Sequence, residues 1–507
     1  MRGLVSTAAS RAWLGVALAG VLLVALVIGL GMLPRLGAGQ EVIDAAKPAM
    51  TDAAVAGELA ATKLLAQYVD LADPLATRRG GGDKEFEKLV ALISRRTGAS
   101  RRRARAVLKR EAPHTESLLR ALPFSGVVDE RARLTRFLSR TMNVDEETLQ
   151  DDIARNFPRL FQTLSELPNV TSGWYDVPGI EGMTRFDGST RVQSMPGVGD
   201  YLRDDLVKTA AEQKDRFGYL AGWGGIGSIP ILLLVIGVVA AGFGLLQARR
   251  ATEYPPGRLA WRIVIAIGVL LIVLVAALQY FPRLDGADKM ITKLEPAFEQ
   301  PRVEGLRAGT DLVVQAVRFG DPIATEQGGA ADEYPKLLTY VAERSGLNRR
   351  QVRRRLQRAA PRTTALLHAI PLSAVAAEVP HLTAILSRKL GTRGDRLIAT
   401  LRKRTPGLAQ AILVVGPVTS GWNEIPGTGE LERFDGVTPV RSLPAFADYL
   451  DRDVVAVFEG QRDHFEALAD GWPPLVAFPG IVLGFGVLIV IYGVTMSFYV
   501  TSPPPRP

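Results

Sequence analysis

The sequence predicts a mainly α-helical integral membrane protein with four transmembrane helices and two homologous, mostly helical extracytoplasmic domains. Three observations predict this class: four long apolar stretches, a similarity between the two halves of the chain, and helical spacing of the apolar residues between the stretches. The 507 residues then resolve into one unit of about 248 residues that is used twice.

The four apolar stretches are each long enough to cross a bilayer core of about 30 Å, which needs on the order of 20 helical residues. They predict membrane spans at residues 13–33, 222–246, 261–281 and 474–499. The first stretch also fits a signal peptide, because Arg2 and Arg11 precede it. We interpret it as an anchor, since an equivalent stretch recurs in the middle of the chain.

The similarity appears when the sequence is shifted by 248 residues. Trp13 then aligns with Trp261, and Pro34-Arg35-Leu36 aligns with Pro282-Arg283-Leu284. Residues 171–205 and 419–453 share 18 identities in 35 positions without any gap. A tandem duplication of a span, a domain and a second span explains this pattern.

Basic residues outside the large domains predict the orientation. Segment 247–262 carries Arg249, Arg250, Arg258 and Arg262 against Glu253 alone, and the two terminal tails add Arg2, Arg11 and Arg506 without an acid. By the positive-inside rule, residues 1–12, 247–260 and 500–507 are predicted to be cytoplasmic. The large domains, residues 34–218 and 282–473, are then extracytoplasmic, and the protein is a multi-pass protein of the cell membrane.

One segment of each domain interrupts the helical pattern. Residues 171–196 and 419–444 are rich in Gly and Pro and predict turns and a short hairpin. Four residue types recur there at fixed spacing: Trp174 and Trp422, Arg185 and Arg433, Phe186 and Phe434, Asp187 and Asp435. An aromatic side chain beside Arg and Asp on a loop is a candidate ligand or partner site. The alternative is that these residues cap the helices and complete turns.

Catalytic, metal and cofactor motifs are absent from the sequence. It has no Cys, and its four His residues align with Arg rather than with His under the 248-residue shift. It contains no P-loop, no H-E-x-x-H and no G-x-S-x-G. We therefore expect a protein that is not an enzyme, with no catalytic residues, no metal site and no cofactor. The span interiors also lack the ionisable residues that coupled transporters need.

The most basic stretch of each domain is a predicted helix. Its candidate contacts with an anionic surface are Arg101, Arg102, Arg105 and Arg110 in the first domain and Arg349, Arg350, Arg353 and Arg358 in the second. With the preceding RRTGAS and ERSGLN, about 20 residues per domain resemble the turn and recognition helix of bacterial helix-turn-helix proteins. That resemblance implies phosphate and base contacts.

Topology and charge favour other roles for these arginines. The first domain has 28 basic and 27 acidic residues and the second 26 and 24, so neither is a basic domain as a whole. A solvated helical face and a contact with anionic lipid headgroups or acidic envelope polymers are the two alternatives. No nucleic acid is expected as a partner under the predicted topology.

Taken together, these features favour a bacterial cell-envelope protein. Arg supplies 49 of the 61 basic residues, which is typical of a GC-rich bacterial genome. The expected role is a scaffold, sensor or partner-binding protein, whose partners are the lipid bilayer and other envelope proteins or a second copy of itself. One alternative is a membrane-transport component, either a pore or an accessory subunit. Another is an inverted topology with a nucleic-acid-binding segment.

Overall fold

The structure is a computed structural model that describes residues 2–221, 225–251, 258–392 and 394–501, without the side chains of residues 2–8, 500 and 501. These residues are mainly helical and contain no strand beyond two isolated bridges. Parts of the predicted loop 247–260, with Glu253, and of the tail 500–507, with Arg506, lie outside the described residues, as does the start of the second predicted span.

The described residues form 24 α-helices and short 3-10 and π-helical segments. In chain order the helices are α1 Arg2–Gly29, α2 Met32–Ala46, α3 Asp52–Ala76, α4 Gly82–Thr97, α5 Arg101–Glu111, α6 Pro113–Ala121, α7 Ser125–Met142, α8 Glu146–Asn156, α9 Pro158–Gly173, α10 Met195–Asp200, α11 Lys208–Leu220, α12 Ser228–Arg250, α13 Arg258–Ala277, α14 Tyr280–Phe298, α15 Gln300–Ala324, α16 Ala330–Ser345, α17 Arg349–Ala359, α18 Pro361–Ala369, α19 Leu372–Leu390, α20 Asp395–Arg404, α21 Pro406–Gly421, α22 Leu443–Tyr449, α23 Ala456–Ala469 and α24 Ala477–Thr501. Two π-helical segments, Tyr201–Val207 and Leu450–Val455, follow α10 and α22.

The chain divides into two compact units. One, here called the span unit, combines residues 1–51, 209–299 and 457–507. The other, here called the paired unit, combines residues 52–208 and 300–456, which we call segment 1 and segment 2. The two segments are related by the 248-residue shift along their whole length. The two predicted domains, residues 34–218 and 282–473, each contribute residues to both units.

The span unit contains four helices that are long and apolar enough to cross a membrane, as predicted. They run over Ala9–Gly29, Ser228–Arg250, Arg258–Ala277 and Ala477–Tyr499. The first and third of these helices end about four residues before the ends of the corresponding predicted spans. At these points Gly31 and Gln279 adopt left-handed backbone angles, and a new helix begins after each of them. The bent pair α18 and α19 would be a fifth candidate if it formed one span, but it packs inside the paired unit.

Small residues bring the apolar helices together in two pairs. A side chain at Gly20 or Gly244 of the chain would collide with the backbone of the opposite helix, α12 or α1. Gly268 of α13 and Gly486 of α24 meet in the same manner. The Trp13 and Trp261 rings stack with their centroids 4.1 Å apart, so residues equivalent under the shift contact each other.

The paired unit has two lobes, and each lobe mixes both segments. Lobe 1 consists of α3 to α6 from segment 1 and α19 to α21 from segment 2, whereas lobe 2 consists of α15 to α18 and α7 to α9. Leu89 and Leu108 share one apolar interior with Leu382 and Leu408. The interior of lobe 2 is formed by Leu138, Leu149, Leu160, Leu337 and Leu356. Segment 1 therefore contributes α7 to α9 to lobe 2 and segment 2 contributes α19 to α21 to lobe 1, which we call the exchange of halves. Helices α10 and α22 stay with α3 and α15 of their own segments.

The two lobes meet around equivalent residues. Helix α6 packs against α18, its counterpart under the shift. The Tyr68 hydroxyl donates a hydrogen bond of 2.5 Å to the carbonyl of Ala316, and these two positions are also 248 residues apart. Such self-matched contacts define a local twofold relation between segments 1 and 2.

Candidate functional site

Four glutamates hold the exchanged halves together by capping helix N-termini across the segments. Glu85 of segment 1 accepts hydrogen bonds from the backbone N–H groups of Gly407 (3.2 Å) and Leu408 (2.7 Å) at the start of α21. Its counterpart Glu333 accepts them from Arg159 (3.3 Å) and Leu160 (2.9 Å) at the start of α9. A carboxylate is favourable there because the first N–H groups of a helix lack internal partners.

The second pair of caps uses Glu130 and Glu378 in the same way. Glu130 accepts from the N–H groups of Arg362 and Thr363, both at 2.9 Å, and from the Thr363 hydroxyl at 3.1 Å. Glu378 accepts from His114, at 3.0 Å, and from Thr115. All four capped helices begin with Pro, and their N-cap residues give no side-chain cap. The cap comes instead from the other segment.

The predicted loop residues Trp174 and Trp422 lie in the protein interior. The Trp174 indole N–H donates to the carboxylate of Asp73 at 3.0 Å, and Trp422 donates to Asp321 at 3.1 Å. Both rings are almost fully buried. A buried Trp with its N–H satisfied anchors the loop to the end of α3 or α15. These rings are therefore not presented to an external ligand.

Arg185 and Arg433 bind aspartates on the following π-helical segments. The guanidinium of Arg185 forms two bonds to Asp205, at 2.9 and 2.8 Å, and Arg433 forms two to Asp453, at 2.7 and 3.0 Å. Phe186 and Phe434 each make an edge contact with the tyrosine that begins or precedes that segment. The Arg–Asp fork is geometrically specific, so it fixes the position of the loop in both segments.

Asp187 and Asp435 complete tight turns in their own loops. The Asp187 carboxylate accepts from the N–H groups of Ser189 and Thr190 and from the Thr190 hydroxyl. These bonds hold the pKa of Asp187 well below its usual range. The same contacts lower the pKa of Asp435 to about 2. Because a general acid needs a raised pKa, the turn geometry favours a structural role for both residues.

A single antiparallel bridge closes each loop as a short hairpin. It joins Thr184 to Arg191 in segment 1 and Glu432 to Pro439 in segment 2. Contacts across the segments differ, however: Arg302 of α15 donates to the carbonyl of Thr184 at 2.9 Å, whereas its counterpart at position 54 is an alanine.

The predicted arginine helices are α5 and α17, and their basic side chains lie on an exposed face. Ser100 and Asn348 cap these helices after left-handed Gly98 and Gly346 end the preceding ones. Only one small apolar pair on each helix is buried, Ala104 with Leu108 and Val352 with Leu356. Arg101, Arg102, Arg349, Arg350, Arg353 and Arg358 project from this exposed face.

Two of the predicted arginines have acidic partners. Arg105 forms an ion pair with Glu87 of α4 at 2.5 Å, and Arg110 pairs with Glu111 at 2.7 Å. Both pairs are exposed, so each contributes little to stability. A solvated face and an anionic contact both fit this arrangement.

Glu58 is a buried carboxyl group without an acidic counterpart in segment 2. Glu58 of α3 is buried and accepts a short hydrogen bond from the hydroxyl of Tyr449. Burial raises the pKa of Glu58 to about 7. Under the shift, Leu306 replaces Glu58 and Tyr201 replaces Tyr449, so the equivalent position is apolar. The sequence alone does not single out Glu58, because an isolated Glu in a helix is typical of an exposed face.

Metal-binding clusters are not found in the described part of the chain, where no group of three or more His, Asp or Glu residues converges. Comparison with protein-family models, with curated proteins and with solved structures gives no match for this chain.

Proposed function

We propose that the chain is a non-enzymatic scaffold, sensor or partner-binding protein of the bacterial cell envelope. In this proposal the two segments are copies of one duplicated unit, both termini are cytoplasmic, and the paired unit lies outside the membrane. The four apolar helices anchor it in the bilayer. Other envelope proteins or a second copy of the chain are the partners.

The exchange of halves between segments 1 and 2 carries the proposal. A transport component in which the copies move against each other would have to break four carboxylate caps and two shared apolar interiors. Such contacts resist separation, because each lost cap leaves helix N–H groups without a partner. A rigid paired unit therefore fits a scaffold better than it fits a transport component whose two copies must move against each other.

The topology is tested with single cysteines, because the chain has none of its own. Val437 is 79% exposed in the paired unit, and Arg250 is exposed at the end of α12. In intact cells a membrane-impermeant maleimide should label V437C and should label R250C only after permeabilisation. The reverse pattern would contradict the topology and revive the nucleic-acid-binding alternative for α5 and α17.

The scaffold role is tested against transport with the full chain in liposomes. We expect the release of trapped K⁺ and of a small dye to match that of protein-free liposomes. A flux that a cross-link between segments 1 and 2 abolishes would favour the transport component instead.

A further inference from the structure

An open polar pocket of about 820 Å³ lies in the paired unit, where lobe 1 meets α18 of lobe 2. Helices α4, α5 and α6 surround it, and α18 of segment 2 closes one side. Five basic residues line it: Lys84, Arg102, Arg105, Arg120 and Arg362. The predicted arginine helix α5 thus points two of its arginines into a pocket, together with basic residues from three other helices.

Acidic residues neutralise only part of this charge. Three line the pocket, Asp83, Glu87 and Glu116, which leaves a formal surplus of two positive charges. Glu87 pairs with Arg105 at 2.5 Å, and Glu116 lies 3.8 Å from Arg120. Burial raises the pKa of Glu116 above its ordinary value.

The guanidinium groups of Arg102 and Arg362 are available to a ligand. In the described part of the chain neither group has a hydrogen bond or an ion pair within the protein. Arg362 occupies space that Gly126 leaves open, since a side chain at position 126 would lie 2.9 Å from the Arg362 Cδ and closer still to its guanidinium. A glycine at this position therefore admits the arginine to the pocket.

The position equivalent to this pocket, at the opposite end of the packed helices α6 and α18, has different residues. Under the 248-residue shift His368 replaces Arg120, His114 replaces Arg362, and Ala374 replaces Gly126. Arg350 and Arg353 match Arg102 and Arg105, so the arginine helix is kept but the facing arginines are not. The surplus of arginine is thus specific to one end of the pair.

We propose that this pocket binds the phosphate group of a phosphorylated small molecule, through Arg102 and Arg362. A phosphomonoester carries about 1.5 to 2 negative charges at pH 7, which matches the surplus in the pocket. Guanidinium forks suit phosphate oxygens, and Phe86, Leu119 and Leu122 supply an apolar wall for the rest of the ligand. The pocket volume lies in the range of small-molecule sites, well above that of a free phosphate ion.

The test uses the full chain in nanodiscs of phosphatidylcholine, with phenyl phosphate as the probe and calorimetry as the readout. We expect saturable binding that Arg102→Gln and Arg362→Gln each weaken by about tenfold or more. Arg350→Gln removes the same charge from the equivalent position of α17 and should leave the affinity within about twofold. The double variant Arg120→His and Arg362→His, which gives the pocket the residues of the opposite end, should also lose binding.

The source of the phosphate is distinguished by a second arm with phosphatidic acid in the nanodisc. Competition with phenyl phosphate would identify a lipid headgroup, and undiminished binding would identify a soluble phosphoester. Circular dichroism of each variant checks that it is folded. The proposal is overturned if the folded wild type shows no saturable binding, or if Arg350→Gln weakens binding as much as Arg102→Gln.

Discussion

Segments 1 and 2 of the paired unit have one set of contacts in common and differ in others. The shared contacts are the crossed glutamate caps, the Trp–Asp bonds and the Arg–Asp forks, which occur twice with the same geometry. All of these position helices or loops. A contact that both segments keep is therefore one that the interlocked fold requires.

Two of the differences between the segments involve charged residues. Glu58 faces Tyr449 where Leu306 stands in the other segment, and Arg362 lines a pocket where His114 stands. Neither difference changes the course of the helices. Residues with the same contacts in both segments build the fold, whereas residues that differ can give one segment a separate role.

The largest expected effect concerns the pH dependence of stability at Glu58. Its pKa is about 7 in the folded chain against an unperturbed value of 4.5, so the folded state favours the protonated form. Its contribution is therefore retained below about pH 4.5 and lost as the pH rises to about 7. Between these limits the free energy of unfolding should fall by roughly 3 kcal/mol on account of this group.

Glu58→Leu supplies the matched variant, because Leu306 is the native residue at the equivalent position. Chemical unfolding of the full chain in detergent, followed at several pH values, should show a flatter profile for this variant than for the wild type. Equal profiles would mean that Glu58 does not titrate in this range.

The next effect compares two glutamate caps. Glu130 is 3% exposed, whereas Glu378 is half-buried. Replacing either with Gln removes the charge that strengthens three hydrogen bonds, and the loss is greater where solvent is excluded. We expect Glu130→Gln to lower the free energy of unfolding by about 2 kcal/mol and Glu378→Gln by about 1 kcal/mol. The opposite order, measured by denaturant unfolding, would contradict the burial argument.

The smallest effect should be the same in both segments. Arg185→Lys and Arg433→Lys each replace a two-bond fork with a single ammonium contact, and both arginines are about a quarter exposed. Each change should cost about 1 kcal/mol after solvent screening, as measured by denaturant unfolding. Clearly different losses of unfolding free energy for the two variants would show that the two loops do not contribute equally to stability.

The sequence predicts the helices and spans well, because apolar periodicity and length are local properties. The exchange of halves is not a local property. A helix such as α9 carries an apolar face whether its partner is α3 or α15, so periodicity does not identify the partner. The boundaries of the spans differ from prediction where Gly31 and Gln279 break the helix inside apolar sequence.

The candidate site was predicted only in part. The Trp, Arg, Phe and Asp residues of the loops were found by their recurrence, yet recurrence does not distinguish a structural contact from a ligand contact. Arg102 and Arg105 were identified on α5, whereas Arg362 was missed because it lies 260 residues further along the chain. One signal for the crossed caps was present: Ala112 and Ala360 precede helices that begin with Pro, and alanine cannot cap them.

The exchange of halves between the segments is tested most directly by cross-linking. The side chains of Asp70 and Gln410 lie 3.1 Å apart across the segments, and Gln162 is the counterpart of Gln410 within segment 1. In the otherwise Cys-free chain, the pair D70C and Q410C should be joined by a short bis-maleimide, as peptide mass spectrometry would detect, whereas the pair D70C and Q162C should not. Cross-linking of the second pair alone would show that each segment folds on itself and would contradict the interlocked structure.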